Sequence, residues 1–285
     1  MSMTTGSRCK AALVAGILLW NISPFAVADA RSTFKVCADP NYLPYSNRAL
    51  EGFENKLAEM LAAELQLPTS YTWFPQRMGF IRNTLRARAD DGEYKCDVVM
   101  GLPTGYELAI TTKPYYRSTY ALVYVKGRGL DDVRSADDVV KLDAARKSKL
   151  RFGLAERNPG NEWLSRHDLL ERLVVAYPSQ LGDPGERPGA LEQRDLLADR
   201  FDATIMWGPI AGYFAKTTKE AEVVVIPMQS EPGLKLHFAI SVGVRFGQGE
   251  WKKQLQTLLD ESRDRVDALL ESYGVPLVDE NGNLL

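Results

Sequence analysis

Short apolar and β-branched runs recur at 34–38, 71–74, 97–100, 121–125, 151–154, 173–177, 203–206, 223–227 and 238–244, with helical patterns between many of them. Strand, helix, strand in that order implies a parallel sheet, because the helix must carry the chain back before the next strand can start at the same end. The clearest helix is 54–65, where Leu57, Met60, Leu61 and Leu65 recur at three-and-four spacing and Pro68 stops it. Near the end, Trp251, Leu255, Leu258, Leu259, Val266, Leu269, Leu270 and Tyr273 trace one face of a long helix that Gly274 and Pro276 terminate. The pattern predicts an α/β fold.

Two lobes are expected. A polar, Gly-containing step at 126–129 follows the run at 121–125, and a return crossing is expected near 236–244. A chain that leaves one lobe by one strand and returns by another builds a cleft between them, where ligands usually bind. The first lobe is placed at 29–125 plus 238–285, the second at 126–237. Segment 178–189 holds three Pro and three Gly and reads as a long surface loop.

Residues 1–28 have the layout of a cleavable signal peptide. Arg8 and Lys10 precede an apolar block at 11–20, a polar break at 21–24 and Ala26-Val27-Ala28. The block is far shorter than the roughly 20 residues of a membrane span. Cutting after Ala28 removes two cations, leaving 33 basic against 37 acidic residues and a net charge of −4. That balance leaves no electrostatic footprint for nucleic acid or an anionic membrane surface, and no membrane insertion is expected.

The cut also removes Cys9 and leaves Cys37 and Cys96. In an oxidising compartment an even pair predicts a disulfide, worth roughly 4 kcal/mol on the chain-entropy model. Two buried free thiols are the alternative. With only 2 His and no spaced Cys/His cluster, no metal or haem site is expected.

The order of motifs then resembles a known family. Val36 to Tyr45, Glu51 to Ala58, Cys96 to Gly101 and Thr111 to Tyr116 resemble the first lobe of the type II periplasmic solute-binding proteins of ABC importers. With Thr111 to Ser118 and the ending Tyr273-Gly274-Val275-Pro276-Leu277, the wording is most similar to the MxaJ/XoxJ-type proteins associated with quinoprotein methanol dehydrogenase. The resemblance implies a two-lobed type II fold, each lobe a mainly parallel sheet flanked by helices, joined by a two-strand hinge. It implies a non-catalytic periplasmic protein with no cofactor of its own. Its role would be to assist assembly, maturation or activation of a PQQ-dependent, calcium- or lanthanide-containing methanol dehydrogenase, in contact with that enzyme or its cytochrome c.

The chain departs from the superfamily where amino-acid receptors hold their ligand. In those receptors an Arg shortly before the Pro-Tyr motif grips the ligand carboxylate, and a second-lobe Asp takes the ammonium. Here 102–113 contains no Arg, and Trp207 stands where the Asp would be. An unpaired buried ion costs several kcal/mol, so a free amino acid is a poor ligand. Candidates for the ligand or partner cleft are Asn41, Tyr42, Tyr45, Tyr106, Arg117, Arg157 and Trp207, with Tyr213 at the rim. Asn158 and Asn161 beside Arg157 are further anion contacts, while Tyr115 and Trp163 read as packing residues. A surface ion pair is an equal alternative for Arg117. The basic run Lys141, Arg146, Lys147, Lys149 and Arg151 reads as a solvated helix end, and 279–283 as a turn in a polar tail.

No catalytic residues are assigned. Gly101 to Gly105 has the glycine frame of a nucleophile elbow with Thr in place of Ser, and His167 and His237 lack recognisable triad partners. Two other functions share the fold: an importer receptor for a small ligand that is not an amino acid, and an enzyme of the cyclohexadienyl dehydratase kind.

Overall fold

The structure, a computed structural model, describes residues 1–3, 31–178, 185 and 187–285. The expected signal peptide, but for its first three residues, and most of the 178–189 loop lie outside the described residues. In chain order the elements are β1 (Phe34–Ala38), β2 (Asn41–Tyr42), β3 (Ser46–Asn47), α1 (Phe53–Glu64), β4 (Thr69–Trp73), α2 (Phe80–Asn83), β5 (Val98–Pro103), β6 (Ile110–Thr111) and β7 (Tyr116–Val125). The chain continues through α3 (Ala136–Lys141), α4 (Ala144–Lys147), β8 (Phe152–Ala155), α5 (Gly160–Arg166), β9 (Leu173–Tyr177), α6 (Ala190–Leu197), β10 (Ala203–Trp207) and α7 (Gly208–Thr217). It ends with β11 (Val223–Pro227), β12 (His237–Val244), α8 (Gly249–Glu261) and α9 (Arg263–Ser272).

The predicted parallel pairings are present. β1 pairs in parallel with β4 and β5, and β8 with β9 and β10. Two long strands pass between these groups. β12 runs antiparallel to β5 and then to the start of β7, with Phe238 opposite Ser118, and β7 continues antiparallel to β10 and β11. The result is the two-lobed type II architecture with two strands crossing between the lobes. Among the described residues no helix is long and apolar enough to cross a membrane.

Each lobe has its own core. In the first, Leu57, Ala58, Leu61 and Ala62 of α1 pack with Phe34, Val98, Val242 and Leu255. The second holds Leu122, Phe152, Leu154 and Ile205 on one sheet face and Ala121, Val123, Phe201 and Phe214 on the other. The changeover falls inside β7, since Tyr116 belongs to the first core and Ala121 onward to the second.

The disulfide forms between Cys37 at the end of β1 and Cys96 just before β5, with Cα atoms 5.4 Å apart. Cys37 lies opposite Val99 in the parallel register, so the cross-link ties adjacent strands below the cleft.

One expectation needs correction. The apolar stripe read as a single helix from Trp251 to Tyr273 is two helices, parted at Ser262, where ψ is 13°. Ser262 is buried and its hydroxyl accepts a hydrogen bond from Arg265 at 2.8 Å. The spacing survives the break because Leu259 and Val266 remain on the same face, which is why periodicity alone could not reveal it.

A second contact joins the lobes beside the hinge. A Cβ built on Gly212 of α7 would lie 1.8 Å from the carbonyl oxygen of Gly274, and one on Gly208 would lie 2.4 Å from that of Thr119. Only glycine permits so close a backbone approach. Tyr213 stacks on Tyr273 at 6.0 Å alongside, so it belongs to this contact.

Candidate functional site

The loops at the carboxyl ends of β1, β4, β8 and β10 border the cleft, as expected for parallel strands. On the first lobe Asp39 organises the floor. It is buried, and its carboxylate accepts from the amides of Asn41 at 2.8 Å and Gln76 at 2.5 Å, tying the loop after β1 to the loop after β4. Tyr42 and Tyr45 lie 4.7 Å apart, and Tyr45 continues inward to Phe53 at 5.2 Å. Tyr45 is only 6% exposed, so it is a core residue beneath the surface rather than part of it.

Glu54, in the first turn of α1, is 7% exposed and sits against Gly101. A Cβ at Gly101 would fall 2.2 Å from Glu54 Oε1, and Gly101 adopts φ +71°. Burial, with the charge of Asp39 adding, pushes the Glu54 carboxyl up to about 8, so it is held neutral around pH 7. Burial likewise raises the Tyr42 hydroxyl above its ordinary range.

An aromatic group lies where the two crossing strands meet β10. Trp207 ends β10 directly opposite Tyr120 of β7, with ring centroids 5.4 Å apart, and Phe238 of β12 closes the group at 5.9 Å from Trp207. Beside them lies a cavity of about 240 Å³ lined by Tyr120, Arg157, Asn158, Glu192, Trp207 and Ile210, among others. Its charged lining is Glu156, Arg157 and the buried Glu192. Arg157 is exposed and holds the left-handed conformation at φ 59°, which costs about 1–2 kcal/mol for a side-chain-bearing residue. The volume falls below the roughly 300 Å³ at which drug-sized sites begin and suits one side chain or a small molecule.

Of the seven residues singled out in the sequence, Arg157 and Trp207 line this cavity. Asn41 reaches across instead, its amide donating to the carbonyl of Gly185 in the second-lobe loop at 3.0 Å. Tyr42 stands on the first-lobe floor. Tyr106 follows β5 and packs on the cluster around the disulfide. Arg117 lies three residues from Tyr120 on the same strand and so faces the opposite side of the sheet.

Asn158 and Asn161 are engaged within the fold. Asn158 donates to Ile205 O at 2.6 Å and accepts from Gly160 N at 2.7 Å, while Asn161 donates to Ala155 O at 3.1 Å. These bonds fix the turn after β8 against β10. Tyr115 and Trp163 are each 1% exposed and pack in the cores. In the basic run, Arg146 clamps Asp132 with two bonds of 2.7 Å, and Arg151 holds Asp202 at 2.7 Å. The tail turn is closed by Asp279, which accepts from the amides of Asn281 and Asn283.

Sequence reasoning missed Tyr120, Phe238, Glu54 and Glu192. Nothing local marks Tyr120 and Phe238, which meet Trp207 only through strand register. Glu54 had one signal, the Gly101 that follows Val98-Val99-Met100.

No family model matches the chain. A curated relative, Protein MoxJ of Paracoccus denitrificans, is 26% identical over 268 residues, covering 89% of this chain and 91% of the relative. The solved structure of the periplasmic binding protein XoxJ from Methylobacterium extorquens AM1 is 35% identical with a TM-score of 0.68, covering 87% of this chain and 100% of that one. That of MxaJ from Methlophaga aminisulfidivorans MPT is 25% identical with a TM-score of 0.70, covering 86% and 100%.

Proposed function

Since the chain belongs to the MxaJ/XoxJ-type family of periplasmic binding protein-like proteins, we propose that it is an exported, non-catalytic protein of the methanol oxidation system. In this reading it assists assembly, maturation or activation of a PQQ-dependent methanol dehydrogenase, and meets that enzyme or its cytochrome c through the cleft. Residues 1–28 are its signal peptide. Residues 29–125 with 238–285 form the first lobe and 126–237 the second, with 121–125 sharing the second core.

The observation that carries the reading is the aromatic group of Trp207, Tyr120 and Phe238 where amino-acid receptors keep a charge. Aromatic faces reward a planar or apolar group. Asn41, Tyr42 and Arg157 are the polar contacts at the edge, and the binding-protein character of XoxJ supports recognition rather than turnover.

The test is to add the purified chain to apo and holo dehydrogenase and follow both binding and activity. Binding that Trp207→Asp weakens about tenfold or more supports the reading, since desolvated aromatic anchors carry about 2 kcal/mol or more at interfaces. Neither binding nor any change in activity would overturn it.

The cavity beside Trp207 favours a second reading, an importer receptor for a small ligand that is not an amino acid. A ligand at about 100 times its Kd adds roughly 2.7 kcal/mol of stability. A thermal-shift screen of alcohols, aromatic acids and PQQ that yields no response would exclude it.

A further inference from the structure

Glu54 is a buried acid without a partner. The residue is 7% exposed, and among the described residues its carboxyl makes no hydrogen bond and no ion pair. The buried aspartates are engaged: Asp39 accepts from the amides of Asn41 and Gln76, and Asp195 from the Tyr177 hydroxyl at 2.8 Å and Arg194 Nε at 3.0 Å. No cation acts on Glu54, since what bears on it is burial and the charge of Asp39, and both oppose its ionisation. A buried polar group left unpaired costs stability, and one held beneath a cleft floor is a candidate ligand contact.

The surroundings of the carboxyl are aromatic. Its charge helps hold up the hydroxyls of Tyr42, Tyr45, Tyr115 and Tyr116, so all four lie within its electrostatic reach. Their rings run as one group through Phe53: Tyr42 to Tyr45 at 4.7 Å, Tyr45 to Phe53 at 5.2 Å, Phe53 to Tyr116 at 6.1 Å and Tyr116 to Tyr115 at 4.9 Å. The buried Tyr115 hydroxyl lacks a hydrogen-bond partner as well. Tyr120 acts on Tyr42 and Tyr45 in turn, which links this group to Trp207 across the cleft. Among the described residues the facing charge comes from Asp39 after β1, while β5 brings Gly101 and β7 brings tyrosines.

We propose that Glu54 anchors a small alkylammonium ion in the first-lobe floor of the cleft, among the rings of Tyr42, Tyr45 and Tyr116 and beside Asp39. The proposal deepens the second reading above, rests on it, and names the class of its ligand. Aromatic faces and a carboxylate together stabilise a desolvated organic cation, which needs no carboxylate clamp of the kind this chain lacks. On binding, the carboxyl gives its proton to solvent and the ammonium donates N–H bonds to the carboxylate so formed, so one positive charge replaces another. A bare divalent metal fits worse. It needs about six or more oxygen ligands, the Asp39 oxygens are committed to amides, and among the described residues no group of three or more His, Cys, Asp or Glu comes together.

The experiment is isothermal titration calorimetry of the purified chain with propylammonium and benzylammonium chloride. 1-Propanol and benzyl alcohol serve as neutral counterparts and calcium chloride as the bare cation. Titrations run from about pH 6 to 8.5 at constant ionic strength, in two buffers of different ionisation enthalpy. We expect an ammonium to bind and its alcohol not to, with affinity rising close to tenfold per pH unit below about 7.5 and levelling above about 8. Near pH 7 the buffer comparison should show about one proton released per ion bound. Glu54→Gln, shown to be folded by its melting curve, should lose about tenfold or more at pH 8 together with the pH dependence and the proton release. Tyr42→Ala should weaken binding but keep both. An ammonium that binds Glu54→Gln as it binds wild type, or binds without proton release, overturns the site. So does calcium binding that depends on Glu54 in the absence of any ammonium binding. If no ammonium binds while a neutral or acidic ligand stabilises the chain in the thermal-shift screen, the site falls and the receptor reading stands. A chain that responds to no small molecule overturns both.

Discussion

Replacing Glu54 by Gln should remove a pH-dependent cost from the folded chain. The carboxyl titrates near 8 when folded, against 4.5 for an unburied glutamate. The folded state therefore holds a proton that the unfolded state releases, and stability falls as pH rises from about 4.5 towards 8. At 1.36 kcal/mol per pH unit the loss approaches roughly 5 kcal/mol on the alkaline side. A glutamine cannot titrate, so Glu54→Gln should match the wild type within a constant offset near pH 4.5 and gain on it by about 1.4 kcal/mol for each pH unit up to about 8. Urea denaturation with the disulfide intact, at pH 5, 6, 7 and 8.5, measures this directly. Any fixed penalty from packing the amide moves the whole curve without changing its slope. Parallel curves for the two proteins would refute the argument, because they would mean that Glu54 titrates equally in both states and is not buried as described.

Other expectations concern backbone and cross-links. Gly101→Ala should cost about 2 kcal/mol or more, since it adds a Cβ 2.2 Å from Glu54 Oε1 at φ +71°, and a melting temperature within a degree of wild type would contradict it. Gly212→Ala should be more severe, about 3 kcal/mol or beyond, because the clash is with the Gly274 backbone and not with a side chain that can move. Cys37→Ala/Cys96→Ala should lower stability by roughly 4 kcal/mol, read as a lower urea midpoint, given the separation of 59 residues. Tyr120→Ala should weaken dehydrogenase binding in parallel with Trp207→Ala, and less than additive losses in the double variant would show that the rings act as one unit.

What could be read in the sequence was whatever leaves a local mark. The repeat of Leu57 and Leu61 gives α1 its buried face, cysteine parity points to the disulfide, and short apolar runs between helices give parallel strands. What could not be read arises from distance. Trp207, Tyr120 and Phe238 belong to three strands whose register decides that their rings meet. Arg117 is a plausible anion ligand until strand alternation turns it away from Tyr120. Asn158 and Asn161 are polar beside a cleft, yet Asn158 donates to Ile205 of β10 and Asn161 to Ala155 and Asn158 within the turn after β8. The break at Ser262 is invisible because it leaves the apolar stripe in phase.

The Gly212 to Gly274 approach bears on how the cleft works. Jaws that swing on two strands alone need only twist those strands, but here a helix of one lobe is seated, backbone on backbone, against the C-terminal segment of the other. Swinging would first have to unseat this contact together with the stack of Tyr213 on Tyr273 beside it. A side chain added at Gly212 would therefore act on the join between the lobes as well as on α7 itself.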